Sequence, residues 1–64
     1  MLMLRWISPK LVDVFWGAEG WAPKEHARFR VARTNGVRTV HQLSKGDTPS
    51  TVVTELSRKL NEKH

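Results

Sequence analysis

The side chains best suited to chemistry in this chain are cations and hydroxyls in its middle third. They are Arg28, Arg30, Arg33, Arg38, Thr39 and His41. A guanidinium is a planar fork that donates two hydrogen bonds at once to a phosphate or to a guanine edge, and threonine can contact a base edge or the thymine methyl group. On a shared surface these residue types favour binding to nucleic acid, with duplex DNA as the expected partner. The alternative interpretation is that alternating Arg and Thr only keep an exposed sheet soluble.

A tight turn decides which of these side chains share a face. Asn35-Gly36 lies between two runs rich in β-branched residues and predicts a hairpin with a two-residue loop. The resulting register predicts one face with Phe29, Val31 and Val40, bearing Arg33 and Arg38 at the tip. It predicts a second face with Arg28, Arg30, Ala32, Thr34, Thr39 and His41. This division is typical of a sheet with one face on a core and one in water. Leu43 would fall on the polar face, so we expect the strand to end, or to bulge, near Gln42.

The rest of the chain predicts a small α+β domain over residues 1–64. Residues 1–9 form a strand or a terminal arm. Residues 10–46 form an antiparallel sheet, which makes three strands or, with the arm, four. The segment 10–16 could be a strand or a short helix, and its Val12, Val14, Phe15 and Trp16 favour the strand. The following segment, 17–25, reads as a loop.

A helix is predicted over residues 47–63, packed on one face of the sheet. Asp47-Thr48-Pro49 supplies a cap residue followed by proline at the first helical position. Val52, Val53, Leu56 and Leu60 form an apolar stripe at helical spacing. Because the stripe is narrow, we expect the helix to depend on the hydrophobic face of the sheet for its stability.

Composition limits the classes of function. The 64 residues include eleven Lys or Arg against six Asp or Glu, a net charge of +5, which favours acidic partners such as nucleic acid. The chain has no cysteine, which excludes disulfides and thiolate metal sites. The segment 1–7 is too short to span a membrane and lacks the features of a signal peptide. We therefore expect a soluble, cytoplasmic protein that does not bind membranes.

Catalytic and metal chemistry are not expected. His26, His41 and His64 lack the spacing of metal ligands. The carboxylates of Asp13, Glu19, Glu25 and Asp47 are interpreted as scattered among caps and loops, and no serine or histidine has a nucleophile context. The sequence therefore predicts no catalytic residue, no metal, no cofactor and no enzyme.

The tryptophans support an alternative function. Trp6, Trp16 and Trp21 are many for so short a chain, and core packing is the default role for such large rings. Trp21, in the loop, is expected to be exposed. An aromatic surface at Trp6 and Trp21, surrounded by arginine, is typical of a protein interface. The alternative is thus a small interaction domain, an inhibitor or adaptor of the kind phages and mobile elements encode, with an acidic protein or a second copy as partner.

The order of elements, strands followed by an Asn-Gly hairpin and then a helix, resembles the three-stranded-sheet DNA-binding domains of phage-type integrases and plant ethylene-response factors. In those families the exposed sheet face enters the major groove and the helix supports it from behind. The resemblance covers residues 10–63 and implies that Arg28, Arg30, Thr39 and His41 face the groove. The segment 26–60 also resembles the C-terminal part of a double-stranded RNA-binding domain. The residues 48–51, Thr-Pro-Ser-Thr, replace the lysine-rich helix start of that family, which favours DNA over RNA.

Overall fold

The computed structural model describes residues 2–17 and 25–62, which form a four-stranded antiparallel sheet and one helix. The elements are β1 (Met3–Ser8), β2 (Leu11–Trp16), β3 (Glu25–Thr34), β4 (Val37–Gln42) and α1 (Ser50–Leu60). The strand order is β1-β2-β3-β4, so each strand pairs with its neighbour in sequence. The α+β class is confirmed. The sheet has four strands, the larger of the two predicted numbers, because the terminal segment pairs with β2 as β1.

The hairpin has the predicted register. Thr34 pairs with Val37 and Phe29 with Gln42, and β4 ends at Gln42. Asn35 and Gly36 have φ angles of 52° and 80°. Positive φ at both central positions is what the type I′ turn requires, and this turn matches the twist of the strands.

The core lies between one face of the sheet and α1. Val12, Val14, Phe29 and Leu56 are almost completely buried there, together with Ala27, Val31, Val52 and Leu60. Trp16 is half-buried against the same cluster. The helix stripe therefore packs on the apolar face as predicted, and the opposite face of the sheet carries no helix within the described residues.

The predicted start of the helix is wrong in its details. Pro49 occupies the N-cap position instead of the first helical position, and no side chain caps the helix there. The Thr48 hydroxyl donates to Gln42 Oε1 at 2.7 Å, while Gln42 Nε2 donates to the carbonyls of Ser44 and Gly46, each at 2.9 Å. The loop after β4 is thus held by Gln42. The Thr48 hydroxyl therefore bonds within this loop and does not cap the helix.

Candidate nucleic-acid interface

The face of the sheet away from α1 carries most of the predicted binding residues. Directly opposed residues share a face, and the register places Arg28, Arg30, Thr39 and His41 on this open face. It adds residues from β1, β2 and the start of β3: Arg5, Asp13, Phe15 and His26. We call this surface the open face.

A buried carboxylate lies at the centre of the open face. The side chain of Asp13 is 3% exposed. Arg28 donates to it from Nε at 2.7 Å and from Nη2 at 3.1 Å, and His26 Nε2 lies 3.3 Å from Oδ1. Arg5 Nη2 lies 4.0 Å from Oδ2. The interpretation of Asp13 as a cap or loop residue is therefore wrong, because it lies in the middle of β2.

This cluster has defined electrostatics. The hydrogen bonds from Arg28, opposed by burial and helped by His26, lower the pKa of Asp13 to about 2. The same pair raises the pKa of Arg28. Arg5 and Arg28 supply two guanidinium groups against the one carboxylate of Asp13, so these three side chains together carry one net positive charge.

Arg28, which the sequence predicts to bind nucleic acid, also has a structural role. Its bidentate pair with Asp13 fixes the guanidinium and neutralises its charge. Its backbone N–H also donates to Ser44 Oγ at 3.1 Å. These contacts make Arg28 a residue that holds β2, β3 and the loop after β4 together.

Arg30, Thr39 and His41 remain available on the open face. Arg30 and His41 are exposed and lie opposite each other on β3 and β4. Among the described residues, no carboxylate oxygen lies within 4 Å of the charged end of Arg30. The Thr39 hydroxyl makes one long bond, 3.4 Å, to the Ala32 carbonyl. These three side chains can therefore contact a ligand bound on the open face.

The two tip arginines lie on the other face, as the register requires. Arg33 and Arg38 are directly opposite each other on the side where α1 packs. Arg38 Nη1 donates to the Leu60 carbonyl at 2.9 Å, and the Arg38 N–H donates to Asn61 Oδ1 at 2.8 Å. Sequence reasoning missed Asn61, because its role depends on where the helix ends relative to β4.

The predicted aromatic surface is only partly described. Trp6 lies on the edge strand β1, opposite Val12, and is 45% exposed. Met3 and Ile7 on the same strand are also exposed. Trp21 and His64 lie outside the described residues.

Two further properties of residues 2–17 and 25–62 bear on function. No helix there has the length and apolar character needed to cross a membrane. Nor do three His, Cys, Asp or Glu side chains come together there to hold a metal ion.

No known family model, curated protein or solved structure matches this chain. Function must therefore be inferred from the geometry above.

Proposed function

We propose that this chain is a non-enzymatic, cytoplasmic module that binds duplex DNA through its open face and the end of the β3–β4 hairpin. The observation that carries the proposal is the projection of this hairpin. The first residue of β2, Leu11, pairs with Arg30, and the Val31 N–H donates to the Lys10 carbonyl, so residues 32–34 of β3 extend beyond β2 and pair only with β4. The hairpin end is thus a two-stranded ribbon.

Ribbon width favours the major groove. This groove is about 12 Å wide and admits a two-stranded β-ribbon. Four strands spaced by about 4.8 Å span roughly 14 Å between the outer strand axes alone, which is too wide to enter. The projecting hairpin is therefore the part of the sheet that would enter the groove.

Side chains on the ribbon and at its base suit base edges: Thr39 lies on the ribbon, whereas Arg30 and His41 pair with each other at its base, where Arg30 is also opposite Leu11. Arg30 can pair with guanine, Thr39 can contact a base edge or the thymine methyl group, and His41 adds a further hydrogen-bonding ring. All three lie on the open face of the hairpin. The Asp13 cluster, behind the ribbon, keeps a net positive charge on the same face, which favours approach to the DNA backbone.

Binding to a labelled duplex, followed by fluorescence anisotropy at several salt concentrations, tests the proposal. Arg30→Ala should weaken binding by about tenfold or more, because one bidentate guanine contact contributes about 1–3 kcal/mol. The matched control is Arg58→Ala, which removes the same charge from α1, where the side chain is exposed and lies 3.9 Å from Glu55. A similar loss in both variants would show that only net charge matters. No binding by the wild-type chain would reject the proposal.

A second candidate function rests on the edge strand. Met3, Trp6 and Ile7 on β1 expose between 43% and 48% of their surface, and β1 has no partner on its outer side within the described residues. Exposed apolar edges favour protein partners, here an acidic protein or a second copy of the chain. Under this alternative, Trp6→Ala would abolish binding that survives high salt, whereas Arg30→Ala would not. Light scattering on the isolated chain would detect a homodimer.

A further inference from the structure

A cationic cleft lies at the end of the sheet, next to the projecting hairpin. It has a volume of about 480 Å³ and is lined by the turn between β1 and β2 and by the free edge of β3. Its charged lining residues are Lys10, Arg30, Arg33 and Arg38. Lys10 is not among the binding residues that the sequence predicts.

The fold brings these cations to the cleft from different sides. Arg30 belongs to the open face and Arg33 to the opposite face, so the two arginines flank the unpaired edge of β3. Lys10 comes from the turn, where Ser8 pairs with Leu11 and the Lys10 N–H donates to Ser8 Oγ at 3.3 Å. The Lys10 carbonyl accepts a hydrogen bond from the Val31 N–H at 2.9 Å. The turn is thereby fixed against β3.

The cleft concentrates positive charge. Arg33 and Arg38 oppose each other directly. The Leu43 N–H donates to the Arg28 carbonyl, so Arg28 and Leu43 form a hydrogen-bonded pair. Because hydrogen-bonded and non-hydrogen-bonded pairs alternate along an antiparallel pair of strands, Arg33 and Arg38 form a non-hydrogen-bonded pair. Side chains come closest in such pairs, and like charges there destabilise the sheet. Within the described part of the chain, no carboxylate oxygen lies within 4 Å of any of these four cations. An anion in the cleft would relieve this repulsion.

The backbone adds a donor. The Val31 N–H points toward β2, where it meets the Lys10 carbonyl. The Arg33 N–H, two residues further along β3, points to the same edge of the strand. Because β2 begins at Leu11, opposite Arg30, this N–H lies past the end of β2. The cleft therefore combines a guanidinium fork, an ammonium group and a main-chain N–H, a set of donors that suits the oxygens of a phosphate group.

We propose that this cleft binds one phosphate group, with Lys10 and Arg33 as its ligands, and that Arg30, assigned above to a base edge, contributes only its charge. Arg38 contributes charge, but one of its guanidinium nitrogens already donates to the Leu60 carbonyl. We identify this phosphate as part of the DNA backbone, which rests on the function proposed above. A hairpin in the major groove would place the cleft beside the backbone of one DNA strand. Free phosphate offers the same chemistry, and the experiment separates the two sources.

The experiment compares two double variants. The first, the cleft variant, carries Lys10→Gln and Arg33→Gln in the cleft. The second, the control, carries Lys45→Gln and Lys59→Gln and loses the same charge outside the cleft. Duplex affinity is measured against salt concentration for the full chain and both variants. Loss of one phosphate contact should reduce the slope of log K against log salt by about 0.9. The cleft variant should show this reduction and bind about tenfold more weakly at low salt, whereas the control should keep the wild-type slope. Circular dichroism checks that each variant is folded, and Arg33→Lys provides a second, milder variant.

A titration with inorganic phosphate, followed by NMR of the backbone amides, completes the test. Shifts at Lys10 and Arg33 that are absent in the cleft variant would support the cleft. If the wild type binds duplex DNA and the cleft variant behaves like the control, the cleft assignment is overturned and the proposed function stands. If the wild type binds no DNA, the proposed function fails, and the phosphate titration decides the cleft alone. In that case, shifts at Lys10 and Arg33 would identify the cleft as a site for free phosphate, and the absence of shifts would overturn the cleft assignment.

Discussion

The side-chain amide of Asn61 pairs with both backbone groups of Arg38. The Arg38 N–H donates to Asn61 Oδ1 at 2.8 Å, and Asn61 Nδ2 donates to the Arg38 carbonyl at 3.1 Å. Asn61 is the C-cap of α1, and its Nδ2 also donates to the Ser57 carbonyl at 2.8 Å. One carboxamide thus bonds to the two outward-facing backbone groups of Arg38 on the edge strand β4 and connects the helix end to the sheet. It also covers part of an edge that could otherwise pair with another chain.

Asn61→Ala should therefore destabilise the domain. The substitution removes the bonds to Arg38 and Ser57, and because these are at the surface the expected loss is about 1 kcal/mol in the free energy of unfolding. Urea denaturation followed by circular dichroism measures it. Glu62→Ala, at the next exposed position, is the control and should change stability by less than about 0.5 kcal/mol. Equal stability of the two variants would contradict the role of Asn61.

The hairpin and helix could be predicted because their signals are local. Asn35-Gly36 sets the register of β3 and β4 within a few residues, and the stripe of α1 lies within eleven residues. The end of β4 at Gln42 followed from the same register. In contrast, whether residues 1–9 pair with the sheet depends on burial against β2, which no local pattern encodes.

The centre of the open face could not be predicted for the same reason. Asp13 meets Arg28 only through the register between β2 and β3, and the sequence of residues 17–24 between these strands has no two-residue turn signal that would predict this register. Asp13 between two apolar residues was a usable signal, since a charged residue inside a buried strand needs a partner. The bond between Thr48 and Gln42 also joins positions six residues apart, and no capping pattern in the sequence indicated it.

Arg33→Glu should stabilise the fold while it weakens binding. It replaces a repulsive pair opposite Arg38 by an attractive one, and such cross-strand pairs contribute about 0.2–1 kcal/mol. The same change places a carboxylate in the cationic cleft, so duplex affinity should fall by tenfold or more. Lys45→Glu, with the same change of charge in the exposed loop, is the control for both measurements. A lower urea midpoint for Arg33→Glu than for Lys45→Glu would argue against the repulsion between the two arginines.

The Asp13 cluster should make stability depend on acid. The pKa of Asp13 is about 2 in the folded chain against an ordinary value of 3.8. Because the folded pKa is the lower one, its contribution is complete above pH 3.8 and is lost as the pH falls toward 2. Asp13→Asn should lower the urea midpoint at neutral pH and flatten its decline across this window. Asp47→Asn is the control for general titration of carboxylates, and an unchanged decline in Asp13→Asn would contradict the assignment.

Arg28 and Arg30, two residues apart on one strand, should separate stability from binding. Arg28→Ala leaves the buried carboxylate of Asp13 without its bidentate partner, so the urea midpoint should fall clearly. The charge of Arg28 is already neutralised, so duplex affinity of the folded variant should change less than in Arg30→Ala. Arg30 has no carboxylate within 4 Å among the described residues, and its removal should change stability by less than about 0.5 kcal/mol. Equal losses of affinity, with stability unchanged in both variants, would return Arg28 to the role of a phosphate ligand.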